Sequence, residues 1–236
     1  MSKSKIALTI PFVLAAITTA AAAGSLNDGS ATPATVAPDP GLDWSGHYVG
    51  GFAGYGGGDY TQGVSQAGEV GVEVTVDGTF AGLRYGRNWQ RSNLVFGFDV
   101  SISSGIDGIT PQGTSGPFWV CGTGDCNISI HALAMGRGRL GRLVTPRTLV
   151  YGAAGLAVGD IGGGIYNSVQ QGSSTAVGYT LGLGMEYRIN EKISLYGEAN
   201  YVDLGEIDFG EGSTPAETFD AKGDFSTVLV GVNYHF

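Results

Sequence analysis

Apolar and polar residues alternate with a period of two through most of the chain beyond residue 90. The clearest run is Ser226–Phe236, where Val228, Val230, Val232, Tyr234 and Phe236 share one face. Thr227, Gly231, Asn233 and His235 share the other, with Leu229 out of phase. Such alternation marks a strand lying between an apolar and a polar environment. In Leu94–Ser104, Leu94, Phe96, Phe98, Val100 and Ile102 oppose Val95, Gly97, Asp99, Ser101 and Ser103. In Ser174–Ile189, Val177, Tyr179, Leu181, Leu183, Met185 and Tyr187 oppose a face carrying Thr180, Glu186 and several glycines. Ile193–Leu204 sets Leu195, Gly197, Ala199 and Tyr201 against Tyr196, Glu198 and Asn200. Asn127–Val144 sets Ile128, Ile130, Ala132, Ala134 and Leu140 against His131, Arg137 and Arg139. Trp44–Gly58 and Thr148–Val158 are rich in Gly and Ala, and alternation assigns them no facing.

With Gly78–Gln90 and Asp224–Phe236 these make eight strand segments, and their connections alternate in length. Residues 59–77, 105–126, 159–173 and 205–223 are long and rich in Gly, Ser, Asp and Glu; residues 91–93, 145–147 and 190–192 are tight turns. Bacterial outer-membrane barrels pair short periplasmic turns with long outside loops and use an even number of strands. The expected fold is therefore all-β, an eight-stranded antiparallel transmembrane β-barrel. Past the N-terminal leader no uncharged apolar run reaches the length of a membrane helix, so a spanning chain must cross as a closed barrel. Only 14% of residues are charged and 42 are Gly, which suits strands and wide loops better than long helices.

The N-terminus reads as an export signal. Lys3 and Lys5 precede the apolar run Ile6–Ala22, and Ala21-x-Ala23 supplies small residues for cleavage before Gly24. Residues 24–43 are rich in Ala, Pro, Ser and Thr and read as a flexible periplasmic lead-in. The expected organisation is signal peptide 1–23, lead-in 24–43 and barrel 44–236.

Charges on the polar faces are Arg84, Arg137 and Arg139 against Asp99, Glu186 and Glu198. An eight-stranded barrel has an interior that side chains fill, and buried charges must pair. This set is expected to form a lumenal salt-bridge network that plugs the barrel; an ion-selective constriction is the alternative. The long loops and their shoulders carry Asp59, Glu69, Glu73, Asp77, Asp107, Asp125, Asp160, Glu206, Asp208, Glu211, Glu217, Asp220 and Asp224 against Lys222 alone. Solvated anionic loops explain this; divalent-cation bridging to lipopolysaccharide is a sharper reading, although no loop has a calcium-loop spacing. Trp44, Trp89, Tyr187, Tyr234 and Phe236 at the turn side, with Tyr55 and Tyr201 toward the loops, are expected as two aromatic girdles.

Cys121 and Cys126 are expected to form a small-loop disulfide in an oxidising compartment, with no neighbouring His or Cys to complete a zinc site. Ser129 and His131 could in principle pair as nucleophile and base, but alternation turns both inward and no acid partner is evident. No cofactor or metal is expected, and the net charge of −9 disfavours nucleic acid.

Trp44-Ser-Gly-His-Tyr-Val-Gly-Gly-Phe-Ala-Gly-Tyr55 resembles the first strand of the small alpha-proteobacterial outer-membrane barrel proteins, the opacity-type and RopB-like porin family. Tyr85–Gln90, Arg137–Gly141, Leu149–Ala157 and Val232–Phe236 look like that family's strands two, four, five and eight. The resemblance implies an OmpA-like barrel in the outer membrane of a Gram-negative bacterium, serving envelope integrity and surface interaction, with no catalytic residue. It implies contact with outer-membrane lipids and lipopolysaccharide. It also implies recognition by the barrel-assembly machinery through a C-terminal strand ending in Tyr234 and Phe236. The cysteine-bearing second outer loop departs from the family, so no loop ligand carries over.

Overall fold

The computed structural model describes residues 42–63, 71–110, 112–115, 120–122, 124–166, 171–211 and 218–236. The leader and nearly all of the lead-in lie outside these residues. The strands are β1 (Gly46–Gln62), β2 (Val72–Arg91), β3 (Leu94–Ser104), β4 (Asp107–Thr110), β5 (Cys126–Thr145), β6 (Thr148–Ile165), β7 (Gln171–Arg188), β8 (Ile193–Glu211) and β9 (Thr218–His235). All pairings are antiparallel, in the ring order β1, β2, β3, β5, β6, β7, β8, β9. β9 returns to β1 from Tyr48↔His235 to Gln62↔Ala221, closing an eight-stranded barrel without a free edge. β4 continues the path of β3 after a break at Gly105 and Ile106, pairing with β5 and meeting β2 at Asp77↔Asp107.

The tight turns fall at 92–93, 146–147 and 189–192. On the opposite side the strands run further than alternation alone indicates. Much of 59–77, 159–173 and 205–223 is ladder: β1 and β2 pair out to Gln62↔Val72, β6 and β7 to Gly164↔Gln171, and β8 and β9 to Glu211↔Thr218. A tilted strand gains roughly 2.5 Å of height per residue, so one of 18 residues such as β6 climbs about 45 Å. The apolar band of such a barrel is only about 25 Å tall, so the upper wall stands clear of hydrocarbon.

The two parts of the wall have opposite polarity. In the lower part Phe98, Ile102, Leu183 and Val230 point outward and are exposed, while the lumen takes charged and polar side chains. In the upper part Thr75, Asp77, Asp160, Glu206 and Lys222 point outward. There Val74, Val76, Ile161, Ile207 and Phe225 turn inward and join one buried apolar cluster. Leu229, out of phase in the sequence, belongs to the floor of that cluster at 2% exposure. Hydrocarbon dictates the lower pattern, and water outside the upper wall dictates the reverse.

The facing of the Gly/Ala-rich strands is settled. Tyr48, Phe52 and Tyr60 of β1 point inward, and Val49, Ala53 and Tyr55 outward. Leu149, Tyr151, Ala153 and Ala157 of β6 point inward. In β5 the single-phase reading fails, because a bulge between Ile130 and Ala132 shifts the register against β6. Ile128 and Ile130 therefore face the lumen, on the side of Arg137 and Arg139, while His131 is exposed outside.

Two lumenal glycines make room for the tyrosines that line the interior. A Cβ on Gly184 would stand 2.6 Å from the Tyr151 hydroxyl oxygen, and one on Gly231 2.5 Å from Tyr196 Cζ. Gly184→Val or Gly231→Val is expected to destabilise the refolded barrel by roughly 1–3 kcal/mol through overpacking. Urea unfolding in detergent reads this as a lowered midpoint; an unchanged midpoint would contradict the packing of the two rings.

Candidate functional site in the barrel lumen

The six charged residues expected to pair in the lower lumen come together, and each is almost wholly withdrawn from solvent. Glu198 is the upper node. Arg84 Nη2 donates to Glu198 Oε1 at 2.9 Å and Oε2 at 3.0 Å, Arg137 Nη1 to Oε1 at 2.6 Å, and the Tyr151 hydroxyl to Oε2 at 2.8 Å. Arg137 Nη1 also donates to Asn200 Oδ1 at 2.7 Å, while its Nε reaches Asp99 Oδ1 at 3.0 Å. Asp99 Oδ2 lies 3.8 Å from Arg139 Nε, linking the upper node to a lower one.

Glu186 is that lower node. Arg139 Nη2 donates to Glu186 Oε2 at 2.9 Å, while Ser194 Oγ and Asn233 Nδ2 donate to Oε1, the latter at 2.8 Å. Arg139 also donates to the Tyr48 hydroxyl. Two guanidinium planes lie over aromatic faces, Arg84 at 4.4 Å from the Tyr196 centroid and Arg139 at 3.9 Å from that of Tyr151. Arg84 on β2 and Glu198 on β8 are not ladder neighbours, so their bond crosses the lumen and ties distant walls together. The formal charges of these six cancel, as burial requires, and the further buried cation Arg188 at the mouth is held by backbone carbonyls.

Trp44 does not belong to an outer girdle. It is fully buried at the periplasmic mouth with Val95, Leu149 and Tyr151. Its indole Nε1 donates to Pro146 O at 3.2 Å, and its backbone N to Gln90 Oε1 at 2.8 Å. Arg188 lies over the Trp44 ring at 5.0 Å and donates to the backbone oxygens of Asp43 and Glu191. Residues just ahead of β1 thus stopper the lower end. At the upper end the apolar cluster fills the lumen. Cys121 and Cys126 are disulfide-bonded and both fully buried in that cluster, so the bridge anchors the second outer excursion to the barrel interior.

Alternation set Tyr196, Asn233 and His235 on the polar faces without naming them as partners of the charges, and it left Tyr48, Tyr151 and Ser194 unassigned. The available signal was an aromatic residue on a polar strand face opposite a glycine. His235 Nε2 meets Ser194 Oγ at 2.8 Å and Glu186 Oε1 at 3.3 Å. A Ser–His–acid relay needs the hydroxyl and the carboxylate on different ring nitrogens, and here both meet Nε2. The bulge in β5 also changes the reading of Ser129 and His131. Both face outward, and Asp160 stands 3.8 Å from His131 Nδ1. Among the described residues no hydrogen bond joins Ser129 to His131. The described residues likewise contain no metal-ligating cluster.

Tyr234 and Phe236 are exposed on the outer face of the closing strand. His47 N donates to Phe236 O at 3.1 Å and Phe236 N to His47 O at 2.9 Å, so the last residue is held in the β1–β9 seam. Glu198→Ala would leave Arg84 and part of Arg137 buried without their carboxylate. It is expected to destabilise the barrel by about 3–5 kcal/mol. An Arg84→Met/Glu198→Leu pair, which removes both charges, is expected to cost less than Glu198→Ala in urea unfolding; a larger loss would deny that charge burial is the cause.

Known proteins share this architecture. The family model for the outer membrane protein beta-barrel domain matches residues 12–236. The chain is 31% identical over 240 residues to the 31 kDa outer-membrane immunogenic protein of Brucella melitensis, covering 95% of this chain and 97% of the relative. It is 28% identical over 198 residues to the 22 kDa outer membrane protein of Rhizobium leguminosarum bv. viciae, covering 84% and 80%. Among solved structures, the outer membrane protein OprG of Pseudomonas aeruginosa superimposes with a TM-score of 0.53 at 13% identity, covering 82% of this chain and 97% of that one, a likeness of fold. With a closed ring, an apolar outer band and these relatives, the chain belongs to the outer-membrane β-barrel domain family and resides in the outer membrane of a Gram-negative bacterium.

Proposed function

We propose that this protein is a sealed, non-conducting barrel that braces the outer membrane and presents a rigid surface outside it. One observation carries the reading: the lumen is filled along its height, by Trp44 below, the ion network in the middle and an apolar core above. The relatives' names include the word immunogenic, which supports a surface reached from outside. On the same reading, residues 1–23 direct export and 24–43 lie in the periplasm. The outer band meets lipid and lipopolysaccharide, and β9 is the strand offered to the assembly machinery.

A narrow channel is the second reading. Arg84 Nε, Ser101 Oγ and both amide atoms of Asn88 are buried without protein partners on one side of the lumen. Ordered water is the ordinary partner for such groups, and a continuous file of it would conduct. Planar-bilayer recording separates the two: the sealed barrel gives no stable conductance steps, and Trp44→Ala alone leaves it silent because the core above remains. Reproducible steps from pure refolded protein would overturn the sealed reading.

We also read the protein as non-enzymatic, since neither Ser194 nor Ser129 has the geometry of an activated nucleophile. Lipid A from cells overproducing the protein is expected to keep its acyl chains by mass spectrometry. Loss of one acyl chain would reverse this.

A further inference from the structure

Outward charge on the upper wall is unevenly divided. The sector β8–β9–β1–β2 presents Glu206, Asp208, Asp224, Asp59, Glu73 and Asp77. Across the barrel, β5–β6–β7 presents three cross-strand rows of another character. They are Asn127–Gly164–Gln171, Ser129–Gly162–Ser173 and, beyond the bulge, Asp160–Thr175 with His131 beside them. β6 contributes two glycines to the middle of these rows, so the floor is bare backbone between walls of amides and hydroxyls. Gly164 has a φ of 144°, which favours glycine there. The result is an open groove of about 340 Å³.

The lining selects a chemistry. Amides and hydroxyls offer donors and acceptors together, which suits a neutral ligand rich in hydroxyl groups. Asn127 Oδ1 is buried without a protein partner. The His131 ring lies over the floor, where a Cβ on Gly162 would stand 2.8 Å from its Cε1. Its neighbour Asp160 is acidic, and no arginine or lysine in these rows favours phosphate. No large apolar side chain lines the groove to favour an acyl chain.

Position selects the source. Val158 and Val177, exposed and apolar, lie directly below the groove on β6 and β7. Gly162 is four residues beyond Val158, roughly 10 Å higher on a tilted strand. The groove is therefore continuous with the lipid-facing band and lies where the headgroups of the outer leaflet begin. We propose that the outward trough formed by Asn127, Ser129, His131, Gly162, Gln171 and Ser173 binds the neutral sugars of an outer-leaflet glycolipid standing beside the barrel. The inference rests on the reading that lipopolysaccharide surrounds the protein, and it names the face and the part of the molecule recognised.

The test uses the full mature protein in nanodiscs, with three probes: lipopolysaccharide carrying its core sugars, the same lipid reduced to lipid A by mild acid, and the free core oligosaccharide. Ser173→Trp fills the trough, Asn127→Ala/Gln171→Ala removes its amides, and Thr75→Trp on the acidic side is the control. Losing two hydrogen bonds of about 1 kcal/mol each predicts roughly thirtyfold weaker binding of the core-bearing lipid by the double amide variant, and filling the trough with Ser173→Trp is expected to weaken it at least as much. Lipid A binding, the control variant and the heat-modifiable gel shift are expected to stay unchanged. Unaltered affinity of the trough variants, or an equal loss toward lipid A, would overturn the proposal. So would free oligosaccharide binding as tightly as the lipid-linked form, which would assign the groove to soluble saccharides. None of these results bears on whether the lumen conducts, so the sealed-barrel reading stands or falls separately.

Discussion

In hydrocarbon a backbone amide has only other protein groups to bond to, and the rest of this structure depends on that. Strands can meet the demand only by returning to their starting edge, as β9 does to β1. Closing eight strands then fixes a lumen about as wide as the side chains that point into it. The interior has to be packed like a protein core although its lower walls are charged. Arginines set over tyrosine rings, with carboxylates bridging between strands, satisfy both requirements.

The ion network and the apolar core divide the work of holding the cylinder in shape. Ladder hydrogen bonds join only neighbouring strands and leave the cross-section free to flatten. Bonds across the lumen, such as Arg84 to Glu198 and Arg137 to Glu198, resist that flattening where lipid presses from outside. Higher up, water on the outside lets hydrophobic burial take over the task, and the disulfide joins the second excursion to the same core.

Much of this was legible in the residues. Period-two alternation placed Leu94–Ser104 with the bounds of β3 and assigned the facing of β7, β8 and β9 correctly. Strand length was less legible, because polarity inverts along a strand where it leaves the lipid. Val72, Val74 and Val76 alternate with acids and threonine just as a soluble strand would, inside a stretch that composition marks as loop. The bulge at Ile130 was hidden for a related reason, since one extra residue reverses the phase without altering composition. Trp44 was misplaced because an aromatic residue at a barrel rim suits a lipid interface and a lumenal stopper equally well. Side-chain chemistry alone does not separate the two.

The reversal of polarity partway up the wall also sets how deep the molecule floats. Sinking by two residues would draw outward carboxylates such as Asp77 and Asp160 into the acyl region, and rising by two would lift Leu156, Val158 and Val177 into water. Both displacements are uphill, so the cylinder has one draught, written in its sequence and independent of any partner. A bilayer thinner or thicker than that draught must deform around it, which makes each copy a local gauge of membrane thickness.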